Sequence, residues 1–225
     1  MTIDVHSFYT PERFARFKAF AETKETPFVV IDTDIIDEAY TEITTGFPVA
    51  DIFYAIKANP APEILTLLRD RGSNFDVASR YELDKLFAIG DVAPERVSYG
   101  NTIKKAQDVR YFYEKGVRMF ATDSEADLRN IAKAAPGSRV YVRILTEGTQ
   151  TADWPLSRKF GCRPDMAMDL LVLAKELGLV PYGISFHVGS QQRDIGAWDA
   201  AIASVKVIFE RLKEEDNIEL QMINM

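Results

Sequence analysis

Short apolar runs alternate with amphipathic segments along almost the whole chain, and this alternation constrains the fold more than any other feature. Such short runs predict buried strands, and the amphipathic segments predict helices. The expected strands are Phe28–Ile31, Ile52–Lys57, Phe75–Ser79, Arg96–Gly100, Met119–Asp123, Val140–Ile144, Gly183–Val188 and Leu220–Met225. The expected helices are Glu63–Arg71, Tyr81–Ile89, Ala106–Lys115, Ala126–Ala134, Met166–Leu177 and Trp198–Lys213. Seven or eight strand–helix repetitions predict parallel βαβ units and favour a (β/α)8 barrel over an open sheet.

Residues at several expected helix starts support these boundaries. Ser79 with Glu82 reads as a capping box, Ser124 is a good N-cap, and Pro164 suits a first turn. These signals agree with the strand–helix alternation.

The first residues of the chain stand apart from this pattern. Thr10, Pro11 and Glu12 predict the start of a helix. Its apolar face would consist of Phe14, Phe17, Phe20 and Ala21. We therefore expect a helical lead-in over residues 1–26 and the barrel over residues 27–225.

Charge and cysteine content limit the possible partners and the compartment. The chain has 27 basic and 34 acidic residues, a net charge of −7, which argues against nucleic acid or anionic membranes as partners. The same charge weakly favours a cationic substrate. A lone cysteine, Cys162, points to a reducing compartment. Met1–His6 shows no signal-peptide pattern and no apolar run reaches about 18 residues, so we expect a cytoplasmic protein.

Ionisable side chains fall on one face of four expected strands. Side chains alternate along a strand, so residue parity separates an apolar face from a small or polar one. The polar face carries Lys57, Asp76, Arg143 and His187. Placing four such groups inside a barrel is costly unless they serve a site. Three of them also lie toward the carboxyl ends of strands, where barrel enzymes keep their chemistry.

These residue types suggest carbonyl and phosphate chemistry. A lysine held in a barrel mouth by desolvation and cationic neighbours can form Schiff bases with carbonyl compounds, pyridoxal phosphate included. A glycine turn followed by Ser190 could bind a phosphate group. Two plainer readings stay open from the residues alone. Lys57 could form a structural salt bridge with Asp76, and His187 could be a satisfied core histidine.

Seven collinear motifs resemble the pyridoxal-phosphate-dependent ornithine decarboxylase family, including its bacterial lysine/ornithine members, whose barrel is of the alanine-racemase type. The motifs are Tyr54–Pro60, Phe75–Ser79 with Glu82, Ser98–Asn101, Asp123–Glu125, Val142–Ile144, Lys159–Gly161 and Ser185–Ser190. With the strands that flank them, they cover the chain from about residue 28 to residue 225. Diaminopimelate decarboxylases share the lysine and histidine motifs but differ at Phe75–Ser79 and at Ser185–His187.

The resemblance implies a role for each matching residue. Lys57 would carry the cofactor covalently, His187 would stack on its ring, and Ser190 would hold its phosphate. Asp76 and Arg143 would lie in the surrounding polar shell. The implied activity is decarboxylation of ornithine to putrescine, or of lysine to cadaverine, with no metal ion, in a homodimer with Lys159 near the dimer interface.

Two further residues are not expected in the site, although each invites that reading. The capping box explains Glu82 adequately. The family's catalytic cysteine lies in a later domain, so Cys162 is expected to be structural.

The resemblance also implies that the chain is a fragment. In the family a glycine-rich phosphate loop, an eighth strand with an acid for the ring nitrogen, and a β domain follow the last strand seen here. We therefore expect an incomplete barrel that is inactive by itself. A non-catalytic cofactor-carrier barrel and a regulatory paralogue are the alternatives, and the preference for ornithine or lysine stays open.

Overall fold

In the part of the chain that the structure describes, seven short parallel strands form the main sheet. In the computed structural model they are β1 (Phe53–Ala55), β2 (Asn74–Val77), β3 (Val97–Tyr99), β4 (Met119–Thr122), β5 (Arg139–Arg143), β7 (Val180–Ser185) and β9 (Met222–Asn224). A separate antiparallel ribbon pairs β6 (Ala152–Trp154) with β8 (Ser190–Gln192). The structure describes residues 8–146, 152–154 and 159–225. Met1–His6, on which the expected absence of a signal peptide rests, lies outside the described residues.

Eight α-helices are present in the described residues. They are α1 (Pro11–Ala21), α2 (Thr33–Gly46), α3 (Pro62–Asp70), α4 (Arg80–Ala88), α5 (Ala106–Glu114), α6 (Glu125–Ala134), α7 (Pro164–Glu176) and α8 (Gly196–Asp216). The side-chain oxygens of Ser79 and Ser124 accept backbone N–H groups at the starts of α4 and α6, as predicted, and Pro164 opens α7. Among the described residues, none of these helices is both long and apolar enough to cross a membrane.

The chain divides into two compact units, Met1–Gly46 and Phe47–Met225. In the first, α1 begins after the N-cap Thr10 as predicted, and Arg13 and Arg16 form ion pairs with Asp32. The boundary expected after residue 26 stays a prediction. The expected strand Phe28–Ile31 was wrong, since this segment is not a strand and its side chains are exposed. A strand requires a hydrogen-bonded neighbour, and no described residue pairs with this segment.

The main sheet has the order β1-β2-β3-β4-β5-β7-β9, and all its pairs are parallel. It curls into a partial barrel with helices on its outer side. The alternation of strands and helices therefore predicted the α/β barrel architecture correctly. Within the described residues, β1 and β9 form the two ends of the sheet and do not pair with each other.

The two faces of the curved sheet pack differently. The outer face carries fully buried Phe75, Val77 and Val142, as expected for strands covered by helices, and the Tyr99 ring stacks on Phe112 of α5. The concave face has a smaller apolar cluster, which lies below the carboxyl ends of the strands. Its members are Met119, Ala121 and Tyr141, with Phe53, Tyr182 and Met222 packed against them.

Candidate active site

Polar residues meet at the carboxyl ends of the strands on the concave face, and we call this region the mouth. Directly paired residues of parallel strands point to the same side of a sheet. Asp76 pairs with Ala55 on one side and with Ser98 on the other. Farther along the sheet, Ser185 pairs with Arg143 and with Asn224. The structure thus places Asp76 and Arg143 on one face, opposite the buried Val77 and Val142.

Lys57 lies at the mouth but not on a strand. The expected strand Ile52–Lys57 ends at Ala55, and Ile56–Ala58 forms a turn of 3-10 helix. The chain turns here because the Asn59 side chain accepts the N–H of Ala61, 3.1 Å away, in an Asx-type turn, and Pro60 has no N–H to continue a ladder.

The Lys57 side chain is exposed, so the expected desolvation of its amine is not present in this structure. No hydrogen bond or ion pair joins Lys57 to Asp76 in the described part of the chain, so the structural salt bridge does not form.

Asp76 is partly buried, and its carboxyl group makes no hydrogen bond or ion pair with any described residue. Its Oδ1 atom is inaccessible to solvent and accepts no hydrogen bond from any described residue. The pKa of Asp76 is raised to about 6, mainly by burial and to a smaller extent by the charge of Glu82. The positive charges of Lys57 and Arg143 oppose this shift. The Glu82 carboxylate accepts the N–H of Ala78 at 2.7 Å, which completes the predicted capping box one residue early.

Arg143 ends β5 and points into the mouth. Its guanidinium carbon lies 5.4 Å from the centre of the Phe160 ring. Burial lowers the pKa of Arg143, while the negative charges of Asp123 and Asp76 oppose the shift. A guanidinium remains charged at neutral pH despite such a shift, so Arg143 supplies a fixed cation to the mouth.

His187 lies in the loop after β7, because the expected strand Gly183–Val188 ends at Ser185. Its Nδ1 atom accepts the N–H of Gly189 at 2.9 Å, which places the ring proton of the neutral form on Nε2. Gly189 has a φ of +109°, a conformation that favours glycine, as the predicted glycine turn requires. His187 is exposed and is therefore not a core histidine. Partial burial lowers the pKa of His187, and the charges of Arg143 and Lys57 lower it further.

Ser190 is exposed at the start of β8, where the antiparallel ribbon pairs it with Trp154. The sequence pattern predicted a loop here and missed the ribbon, since β6 is only three residues long. The structure places Ser190 three residues after His187, and its phosphate-binding role stays a prediction.

Two features of the mouth were missed from the sequence. Asp123 follows β4 directly, and its Oδ2 atom accepts the N–H of Gly161 at 2.8 Å. It continues the parity of the concave residues of β4, and that signal could have found it. Lower in the sheet, the Tyr141 hydroxyl lies 2.8 Å from the Ser98 hydroxyl. That contact joins residues 43 positions apart, and parity alone could place them on one face but not side by side.

The mouth as a whole combines an accessible primary amine, a neutral imidazole, a fixed cation and a buried carboxyl. The amine of Lys57 can link to an aldehyde, and the cations suit an anionic compound. A neutral imidazole presents a flat face that can lie against another ring. This set can hold a planar, anionic carbonyl compound.

Comparisons with known proteins identify the family to which the chain belongs. The family model described as the pyridoxal binding domain of pyridoxal-dependent decarboxylases matches residues 33–225. The lysine/ornithine decarboxylase of Selenomonas ruminantium is 39% identical over 197 residues, which are 88% of this chain and 50% of that protein. The chain spans about half the length of the curated relatives that it matches.

Solved structures give the same result. A crystal structure of lysine decarboxylase from Selenomonas ruminantium superposes with a TM-score of 0.86 at 36% identity, covering 96% of this chain and 55% of that one. A structure of SrLDC in complex with PLP and cadaverine has a TM-score of 0.84 at 36% identity and covers 93% and 52% of the two chains. The fold is therefore shared with these decarboxylases over nearly the whole chain.

Proposed function

This chain belongs to the pyridoxal-dependent decarboxylases, as their pyridoxal-binding domain, and from that premise we propose that the whole protein decarboxylates a basic amino acid. The proposed reactions are L-ornithine to putrescine and, as a second substrate, L-lysine to cadaverine, which are steps of polyamine biosynthesis. The observation that carries the proposal is the meeting of Lys57, Asp76, Arg143 and His187 at one mouth of a domain matched by this family.

The residues of the mouth fit the cofactor of this family, pyridoxal 5′-phosphate. The Lys57 amine is accessible and is not held by an ion pair among the described residues, so it is available to bond the cofactor aldehyde. The orphaned Oδ1 of Asp76 calls for a donor or a cation that the described residues do not provide. When bound, the cofactor supplies an electron-accepting ring that stabilises the negative charge left by the departing carbon dioxide.

The side chains of the mouth have distinct proposed roles. Lys57 would hold the cofactor covalently. His187 lies against the cofactor ring as a neutral imidazole, since its pKa is lowered and Nδ1 is already engaged. Ser190 contacts the phosphate. Asp76 and Arg143 lie in the polar shell around the cofactor and would orient it.

Location and assembly are also proposals. We place the protein in the cytoplasm as a homodimer, with exposed Lys159 near the interface between subunits. The net charge of −7 favours a cationic amino acid as substrate and disfavours nucleic acid. We assign residues 27–225 to the cofactor-binding barrel.

The test is a product assay on the intact protein with pyridoxal phosphate. Putrescine from ornithine and cadaverine from lysine are separated by chromatography and quantified. Lys57→Arg keeps the charge but cannot link to the cofactor, so it should lower kcat at least about 10²-fold. Lys133→Arg, at an exposed position in the last turn of α6, is the matched control and should retain full activity.

Two results would refute the proposal. One is the absence of both amines from the wild-type reaction. The other is full activity of the Lys57→Arg variant, which would show that the reaction does not pass through this lysine.

A further inference from the structure

Asp123 extends the concave face of β4 into the mouth. Met119 and Ala121 belong to the concave cluster, and alternation places Asp123, two residues further on, on the same face. The last paired residues of β4 and β5 are Thr122 and Val142. One step beyond that pair, Asp123 comes beside Arg143.

Asp123 anchors the segment Phe160–Cys162 at the end of β5. The N–H of Gly161 donates to Asp123 Oδ2 at 2.8 Å. The N–H of Cys162 donates to the carbonyl of Arg143 at 2.9 Å, and the N–H of Leu145 donates back to the carbonyl of Cys162 at 2.8 Å. Three hydrogen bonds therefore fasten this segment against the carboxyl end of β5.

Gly161 allows this close approach. Its φ is +97°, and a Cβ atom on it would come within 2.9 Å of the carbonyl carbon of Ile144. A larger residue would push the segment away from the strand. The absence of a side chain at Gly161 therefore lets the segment lie where its N–H reaches Asp123.

The anchored segment bears on Arg143. Phe160 precedes Gly161, and its ring lies 5.4 Å from the guanidinium carbon of Arg143, within the range of a cation–π contact. The charge of Asp123 also acts directly on Arg143, because it opposes the lowering of the Arg143 pKa by burial. Asp123 therefore constrains Arg143 both through the Phe160 ring and through its own charge.

Building on the proposed function, we propose that Asp123 is a positioning residue that holds the Arg143 guanidinium in the mouth between Asp76 and His187. Asp123 acts on the cofactor through Arg143 and the Phe160–Cys162 segment, and not by touching it. In the protein without cofactor, Asp123 and the Phe160–Cys162 segment also keep the positive charge of Arg143 close to His187.

The experiment compares Asp123→Ala and Asp123→Asn with wild type in the intact protein. Asp123→Ala removes the hydrogen bond and the charge, and Asp123→Asn retains an oxygen acceptor for Gly161 but removes the charge. Asp165→Asn is the matched control, because Asp165 also accepts a backbone N–H and pairs with an arginine, but it is exposed at the start of α7.

Two quantities are measured. The first is the Kd for pyridoxal phosphate, and the second is the pKa of His187 without cofactor, by NMR titration with the signal assigned through His187→Gln. Asp123→Ala should raise the Kd about tenfold or more. It should also raise the His187 pKa toward 6.5, because the Arg143 charge that lowers it moves away. Asp123→Asn should give smaller changes in the same directions, and Asp165→Asn should give none.

A lower stability of Asp123→Ala with an unchanged His187 pKa would show a merely structural role and overturn the proposal. If Asp123→Ala does not fold, Asp123→Asn decides, and wild-type values of both Kd and His187 pKa in that variant would also overturn it. Failure of the proposed function would appear instead as a wild-type protein without decarboxylase activity. The His187 titration needs no cofactor, so it tests Asp123 separately.

Discussion

Asp127 and Asp76 each have one carboxylate oxygen that is buried, but the surroundings of the two carboxyl groups differ. Asp127, at the start of α6, accepts the Lys104 ammonium at 2.6 Å, and both side chains of this pair are almost fully buried. Lys104 also donates to the carbonyls of Asn101 and Ala121. Asp76, at the mouth, has an inaccessible Oδ1 atom and makes no hydrogen bond or ion pair among the described residues. The Oδ1 atom of each carboxylate has no hydrogen-bond partner among the described residues. The two differ at Oδ2, which forms an ion pair with Lys104 in Asp127 but with no described residue in Asp76.

The difference separates a charge that supports the fold from one that serves a site. Burial raises the pKa of both carboxyls, and for Asp127 the attraction and hydrogen bonds of Lys104 oppose that shift at contact distance. For Asp76 the opposing charges of Lys57 and Arg143 act without a direct contact, and the pKa remains at about 6. A carboxyl group with a raised pKa and no partner within the chain is typical of a binding site, where a ligand supplies the missing partner.

Removing the charge of Asp127 is expected to have the largest effect on stability. Asp127→Asn leaves the buried Lys104 ammonium without its counter-charge and should lower the free energy of unfolding by about 3 kcal/mol or more. Urea denaturation of the apoprotein at pH 7.5 measures this. The control is Glu125→Gln in the same helix turn, whose exposed pair with Arg129 should contribute less than about 1 kcal/mol. Equal effects of the two variants would show that the buried pair does not stabilise the fold.

The corresponding substitution at Asp76 should raise the free energy of unfolding instead of lowering it. The folded pKa of about 6 lies above the ordinary 3.8, so the folded state binds more protons between these values, and stability falls as the pH rises from about 4 to about 6. One pKa unit corresponds to about 1.4 kcal/mol, so the ionised carboxyl costs up to about 3 kcal/mol at pH 7.5.

Asp76→Asn should therefore raise the stability of the apoprotein at pH 7.5 and flatten its dependence on pH between about 4 and 6. The same variant should weaken the binding of pyridoxal phosphate. Denaturation at a series of pH values, with wild type in parallel, measures the first effect, and cofactor titration measures the second. A lower free energy of unfolding for the Asp76→Asn apoprotein would contradict the claim that the two charges have opposite effects on stability.

Sequence parity predicted much of this arrangement. The alternation along β2 and β5 placed Asp76 and Arg143 on the concave face, because strands in a parallel sheet keep a strict period of two. The strand–helix order predicted the parallel sheet, because a crossover connection, usually a helix, must join one parallel strand to the next.

The parts that could not be predicted depend on contacts between distant residues. Lys57 and His187 lie past the ends of their strands, where an Asx-type turn and a glycine turn override the apolar pattern. The Asp123–Gly161 hydrogen bond spans 38 residues, and the short ribbon at Ser190 exists only because two loops meet. Phe28–Ile31 carries a strand pattern without a strand, since β propensity does not form a ladder without a partner.

The most direct test of the account is to locate the cofactor on the chain. The intact protein is loaded with pyridoxal phosphate, reduced with borohydride and digested, and the labelled peptide is identified by mass spectrometry. The account predicts the label on Lys57, whose amine is accessible at the mouth beside Asp76, while Lys104 is held in its buried ion pair. A label on Lys104, on Lys159 or on any other lysine would contradict it.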